Sequence, residues 1–418
     1  MNLPKPYLER MKTQLGEAFP AYVSAMEAPP VRAARCNRLK LSPASLAALR
    51  PDFVPAEANS FLLPEDFAPG KDILHSAGAY YVQELSAQMP ANLFALTSPM
   101  AVLDLCAAPG GKSSQLAARV PDGVLFSNEI VPHRANVLLG NLERMGAKNT
   151  VITSMEPEKL VSLTGPVFDG VLVDAPCAGE GMFRKDPEAA IEWSPEHVLA
   201  CARRQRAILA SAQKAVKAGG QLVYSTCSFS PAENEENVSW FLSEYPDFEL
   251  VEERRLYPHT SQGEGQYAAR FRRKGPASDP LYLPMRSDRA PLAEAFLKEE
   301  TEGLAGPLRS LPDGRALLLP PLPCSLDGIK VLRAGLLLGE TLKGRFVPAH
   351  ALAMAAGLPL QSQVALSEAE AMRYLRGETL SSSLSGWCAV TYGGLALGLG
   401  KGSDGILKNH LPKGLRIR

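Results

Sequence analysis

Three short strings in this 418-residue sequence hold side chains able to do chemistry: Asp104-Leu-Cys-Ala-Ala-Pro-Gly-Gly-Lys112, Asp174-Ala-Pro-Cys177 and Ser225-Thr-Cys227. A thiolate adds readily to an electron-poor ring carbon, and a carboxyl group beside it can steady the charge that develops. A lone cysteine is more often a small buried apolar residue. Cys177 and Cys227, however, recur in similar surroundings, and Cys177 shares its string with Asp174. In the first string Gly110 and Gly111 let the backbone approach a ligand closely. That string is neither a GxGxxG fingerprint nor a phosphate loop, so it implies no pyrophosphate cradle. Glu129, 25 residues beyond Asp104, is spaced to accept hydrogen bonds from ribose hydroxyls. S-adenosylmethionine, an adenosine-bearing cofactor without a pyrophosphate, satisfies these features together.

The elements that must position these strings alternate along the middle of the chain. Residues 101–105, 123–128, 150–154, 170–174 and 221–225 read as five short strands, with helical patterns at about 112–120, 133–145 and 196–218. Strands and helices alternating at this spacing imply parallel βαβ units and an α/β, doubly wound, Rossmann-like sheet. Ligands of such sheets bind beyond the carboxyl ends of the strands. All three strings, and Glu129, follow strand ends, so both thiols are expected at one crevice. Composition divides the chain into zones at 1–75, 76–275, 276–340 and 341–418, the third rich in Pro and Leu and the last glycine-punctuated.

Thiol, carboxylate and S-adenosylmethionine at one crevice suit methylation of a pyrimidine at carbon 5. That carbon is a poor nucleophile until a thiolate adds at carbon 6 and turns the ring into an enamine. A partner at ring nitrogen 3 must steady the developing charge, and a base must take the carbon 5 proton before the thiol leaves. Asp174 and the two cysteines have the chemistry for these steps. Spacing alone does not say which cysteine attacks.

The strings DLCAAPGGKSSQLA (104–117), NEIVPHRANVLLGNLERMGAKN (128–149), DAPCAGEGMFRKDPEA (174–189) and YSTCSFSPAENEENV (224–238) closely resemble the Sun-type RNA cytosine-5 methyltransferases, in their RsmF-like branch. AGAYYVQELSAQMPA (77–91) is similar to the family's substrate-side segment, and the tail resembles its PUA-like RNA-binding region. The resemblance implies a small N-terminal RNA-binding subdomain, a Rossmann-like catalytic domain and a PUA-like end of α+β/β type, with a connecting region or small C-terminal domain over 276–340. It implies methylation of cytosine carbon 5 in 16S ribosomal RNA through a covalent cysteine–cytosine adduct. By the same resemblance Cys227 attacks, Cys177 assists release and Asp174 contacts the cytosine ring edge. Cofactor contacts would come from Cys106, Ala107, Ala108, Pro109, Gly110, Gly111 and Lys112, with Glu129 on the ribose and Arg134 nearby. Asp174 also borders the cofactor. Lys112 would either order the catalytic loop or contact the methionine end. Three positions depart from the family pattern. Leu85 replaces a proline, which predicts a looser turn, and Gln266 and Leu399 replace a common histidine and tryptophan.

Composition sets the outer bounds. Equal numbers of cations and anions, 44 each, exclude a protein that coats polyanions through overall charge. Seven cysteines without a CxxC pair imply neither a metal site nor a disulfide framework, and fit a reducing cytoplasm. The first residues lack the apolar run of a signal peptide, and no stretch is long and apolar enough to cross a membrane. The cations are clustered in 32–40, 201–206, 267–274 and 401–418, where Asp404 is the only acid. The first and last clusters lie outside the catalytic sheet and are expected to grip RNA backbone. Phe346 and Trp387 are candidate stacking partners. The expected partners are RNA of the small ribosomal subunit and no metal, and the chain is taken as a monomer. Two other readings are the same chemistry on transfer RNA or another RNA, and a non-catalytic ribosome-assembly factor.

Overall fold

The computed structural model describes residues 3–57, 59–304 and 306–417. At its centre lies an eight-stranded sheet. In chain order its strands are β1 (Ala101–Asp104), β2 (Val124–Asn128), β3 (Thr150–Thr153), β4 (Phe168–Asp174), β5 (Val216–Thr226), β6 (Phe248–Leu256), β7 (Gln266–Arg273) and β8 (Val331–Ala334). Their spatial order is β6-β7-β5-β4-β1-β2-β3-β8. Strands β1 to β5 are parallel; β7 and β8 run antiparallel to them, and β6 pairs antiparallel with β7. Every residue of β1, β2 and β3 is buried. Helices cover both faces of a parallel sheet, so its strands are continuous apolar runs rather than alternating ones.

Helices Gly111–Ala117, Pro132–Arg144, Pro157–Thr164 and Pro195–Ala212 make the crossovers. Three of them start with proline, whose missing N–H costs nothing in the first turn. The Ser194 side chain caps the last by accepting from the His197 N–H. This helix ends at Ala212, six residues before its sequence pattern predicts, because Val216 already pairs with Phe168 in the sheet. Strand β8 comes from the Pro- and Leu-rich zone. That zone also sends Leu322, Cys324 and Ile329 into the main core.

The two ends of the chain meet. A small sheet of residues 33–36, 54–55, 60–62 and 80–82 packs against a C-terminal five-stranded sheet built from 363–365, 380–381, 386–392, 395–403 and 406–409. Phe61 and Tyr80 from the first share one core with Val390 and Leu407 from the second and with Tyr374 of the helix Glu368–Leu375. A further four-stranded sheet, 308–318 and 336–348, carries Phe346, whose ring packs on Phe296 at 5.0 Å.

Two of the expected solvent-facing cations turn inward. Arg35 is 5% exposed, and the Lys40 ammonium donates to the carbonyls of Ala77 and Arg144 at 2.8 and 3.0 Å. Arg35 lies on strand 33–36, all four residues of which are buried, and its side chain reaches Gln83, Gly111 and Ser114. In the cluster at 267–274 the three arginines face acids, and Lys274 donates to the Pro246 carbonyl. Arg270 and Arg272 stand opposite Glu252 and Glu249 on the adjoining strand, and Arg273 pairs with Asp247 at 2.9 Å.

Candidate active site

Beyond the carboxyl ends of β1 and β4 a cleft of about 500 Å³ opens, bordered by the turn that follows β1. Cys106, Ala107, Ala108, Pro109, Gly111 and Lys112 all face it. Gly110 starts the following helix at φ 111°, and a Cβ there would lie 3.1 Å from the Leu138 side chain. At Gly111 a Cβ would crowd Gln83 and Tyr81 at 3.3 Å. A side chain at either position would strain the turn or fill the approach to the cleft. Arg35 reaches the same turn from the small N-terminal sheet. Its guanidinium donates to the Gly111 carbonyl at 2.9 Å, the Ser114 hydroxyl at 2.8 Å and the Gln83 side chain at 2.9 Å.

Asp104 borders the cleft and is buried, a residue that sequence reasoning noted without giving it a role. One carboxyl oxygen accepts from the Ser113 hydroxyl at 2.6 Å, and the other has no partner among the described residues. Burial pushes this carboxyl up to about 7, only partly countered by the Ser113 bond. An unpaired buried acceptor facing a cleft suits a cationic ligand group, such as the amino group of a bound amino-acid moiety.

At the end of β2 the Glu129 carboxylate accepts from the Val131 N–H at 2.9 Å and pairs with Arg134 at 3.4 Å. Arg134 also donates to the Ala108 carbonyl at 3.1 Å, which joins the second strand end to the turn after the first. Glu129 and Arg134 stand beside the cleft rather than among its lining residues.

Asp174 ends β4 and connects the cleft to the thiols. One oxygen accepts from the Lys112 ammonium at 2.7 Å, and the other from the Ser225 hydroxyl at 2.7 Å. Burial alone would lower the Lys112 ammonium, but the facing Asp174 carboxylate more than offsets it and holds the ammonium above its ordinary value. Lys112 therefore both bonds Asp174 and lines the cleft. The sulfurs of Cys177 and Cys227 lie 3.0 Å apart, and both cysteines are half-buried free thiols. The hydrogen bond with Cys227, and then burial, hold the Cys177 thiol well above its usual range.

The three departures from the family pattern lie in ordered surroundings. Glu84 accepts from the backbone N–H groups of Ser86 and Ala87, both at 2.8 Å, so the turn at Leu85 is pinned rather than loose. The Gln266 amide nitrogen lies 3.4 Å from Asp174. Leu399 is buried, and its carbonyl accepts from the Tyr374 hydroxyl at 2.8 Å. Among the described residues no helix is long and apolar enough to cross a membrane, and no three side chains group as a metal site.

Comparisons with known proteins agree with this architecture. The family described as 16S rRNA methyltransferase RsmB/F matches residues 91–283. Models for the N-terminal, first C-terminal and PUA domains of RsmF match 3–85, 295–356 and 361–417. Ribosomal RNA small subunit methyltransferase F of Klebsiella pneumoniae (strain 342) is 32% identical over 99% of this chain and 96% of its own length. Its counterpart in Vibrio cholerae serotype O1 (strain M66-2) is 31% identical over 99% and 98%. Among solved structures, a methyltransferase homolog from Pyrococcus horikoshii is 28% identical, with a TM-score of 0.55 over 65% of this chain and 100% of that one. NSun6 from the same organism, at 21% identity and a TM-score of 0.58 over 65% and 99%, shares the fold. The cofactor of this Rossmann-like fold and family is S-adenosylmethionine. The glycine-lined turn and the unpaired Asp104 oxygen fit it. On similarity that spans nearly its whole length, the chain belongs to the family of ribosomal RNA small subunit methyltransferase F.

Proposed function

We propose that this protein methylates carbon 5 of a cytosine in 16S ribosomal RNA, with Cys227 as nucleophile and Cys177 assisting release. The observation that carries this reading is the pair of free thiols, 3.0 Å apart, next to a carboxylate already held by Lys112 and Ser225. When bound, S-adenosylmethionine supplies an electrophilic methyl group. The Cys227 thiolate forms a bond to ring carbon 6, and the electron pair displaced from the 5,6 double bond makes carbon 5 nucleophilic. Asp174 meets the ring edge, where a fixed carboxyl group steadies the charge without having to reorganise. Once carbon 5 has lost its proton to a base, the carbon–sulfur bond breaks and Cys227 leaves as thiolate. Cys177 keeps its proton tightly, so it stands beside the departing sulfur as a neutral donor and stabilises it. The loop of residues 106–112, with Glu129 and Arg134, holds the cofactor.

The test uses two variants on small-subunit RNA. Cys227→Ala abolishes methyl transfer and keeps cofactor binding, whereas Cys177→Ala accumulates a covalent protein–RNA adduct on a denaturing gel. An adduct in Cys227→Ala but not in Cys177→Ala would reverse the two roles.

A further inference from the structure

Both thiols ride on loops that have left the sheet, Cys177 within 175–179 and Cys227 within 227–230. No strand or helix fixes the backbone there, so whatever joins one loop to the other sets the distance between the sulfurs. Three links do so. The Gly181 N–H donates to the Cys227 carbonyl at 2.7 Å, and a Cβ on Gly181 would lie 2.9 Å from that same oxygen. Glu180, three residues past Cys177, accepts from the N–H of Phe229, two residues past Cys227, at 2.8 Å. Glu233, six residues past Cys227, accepts at 2.9 Å from the N–H of Ala178, the residue after Cys177, and also from the Ser228 hydroxyl.

Both glutamates are fully buried. A buried carboxylate is costly unless donors surround it. Glu180 is paired with Arg10 at 2.7 Å and takes a further bond from the Trp193 indole at 2.8 Å. Glu233 has no cation within 4.0 Å among the described residues, and burial pushes its carboxyl up. Its remaining donor is the Gln205 amide at 2.9 Å, which also donates to the carbonyl of Pro176, the residue before Cys177, at 3.0 Å. An apolar pair could fill the same space and tolerate several registers of the loops. Acceptors that face particular donors tolerate one.

We infer that Glu180 and Glu233 are positioning residues, a reciprocal pair of buried carboxylates that sets the spacing of the two thiols. Through Arg10 that spacing is tied to the first helix, Lys5–Leu15. The consequence for turnover rests on the proposed roles of Cys227 and Cys177.

The test reads spacing and turnover separately in the full chain. Diamide takes two electrons and two protons from a thiol pair, joins the sulfurs as a disulfide and is reduced to its hydrazine. Mass mapping of the linked Cys177 and Cys227 peptides against time reports their spacing without any RNA. In Glu180→Gln and Glu233→Gln an amide N–H meets donors, so linking slows about tenfold. Methyl transfer to small-subunit RNA loses about 100-fold in kcat with KM nearly unchanged, as expected for misplacement on the ångström scale. Should Glu180→Gln fail to fold, Arg10→Met, at a site where the arginine side chain is 25% exposed, tests the same link with an effect of about threefold. Wild-type linking rates in the folded variants overturn the inference, as does absence of the link in the wild-type protein. Slowed linking with unchanged kcat upholds the clamp and overturns the roles proposed for the cysteines.

Discussion

The cation-rich stretches at 32–40 and 401–418 look alike in the sequence, yet particular cations in each meet different fates in the fold. In the first, Arg35 is buried against the cofactor turn and Lys40 is spent on two backbone carbonyls. In the second, Lys408 and Lys413 are exposed, and Lys401 lies over the Trp387 ring at 5.0 Å with His410 packed at its edge. The difference is one of neighbours. Both segments have strands on either side, but the Arg35 side chain meets the turn after β1, whereas Lys408 and Lys413 meet solvent. Density of charge along a chain predicts total charge; packing decides which cations reach solvent.

The contrast can be broken from either end, and the largest effect belongs to the buried one. Arg35→Met is expected to cost about 2–3 kcal/mol by chemical denaturation, because the Gly111 carbonyl and Ser114 lose a charged donor without replacement by water. Cofactor affinity measured by calorimetry should fall with it. Wild-type stability in this variant would return the first stretch to the surface class. The cleft that Arg35 helps to close also titrates. The Asp104 carboxyl, raised to about 7, is neutral below that pH and anionic above it. Affinity for a cofactor carrying an ammonium group should therefore rise from pH 6 to 8, by up to about tenfold per unit below the midpoint. The same carboxyl lends stability to the ligand-free fold at low pH that is lost as pH rises through 7. Asp104→Asn should flatten both profiles, and an unaltered affinity profile in that variant would assign the titration to another group.

At the exposed end, Lys408→Ala and Lys413→Ala should each lower the salt slope of RNA binding by about one and leave stability within about 0.5 kcal/mol. A steep loss of stability instead would make these cations structural too. Truncating the tail is a poor substitute, because Cys388, Val390, Leu397 and Leu407 belong to the core shared with the N-terminal sheet. The smallest effect is expected at Arg272, whose half-exposed pair with Glu249 spans 4.0 Å. Arg272→Gln should change stability by less than about 0.5 kcal/mol and RNA binding not at all.

Much of the molecule could be read from the chain itself. The five parallel strands were legible because each holds a short buried apolar run, and the groups beyond their ends were legible because the motifs there are local. The antiparallel edges were not. Acids at 233–253 and cations at 267–274 look like separate patches in the sequence, yet Glu249 and Glu252 meet Arg272 and Arg270 across one ladder. Asp104 was in plain view within its motif, but its role emerges only from an oxygen left unpaired at the cleft.

By itself, then, the sequence determined the five parallel strands and the candidate chemical groups that follow their carboxyl ends. These depend on alternating runs and short motifs that act within a few tens of residues. Only the tertiary structure decided that Lys112 holds Asp174, that Arg35 faces inward and that two sulfurs 50 positions apart lie 3.0 Å from each other. The physical reason is that hydrogen bonds and burial between distant segments have no period along the chain, and they exist only once packing has chosen the neighbours.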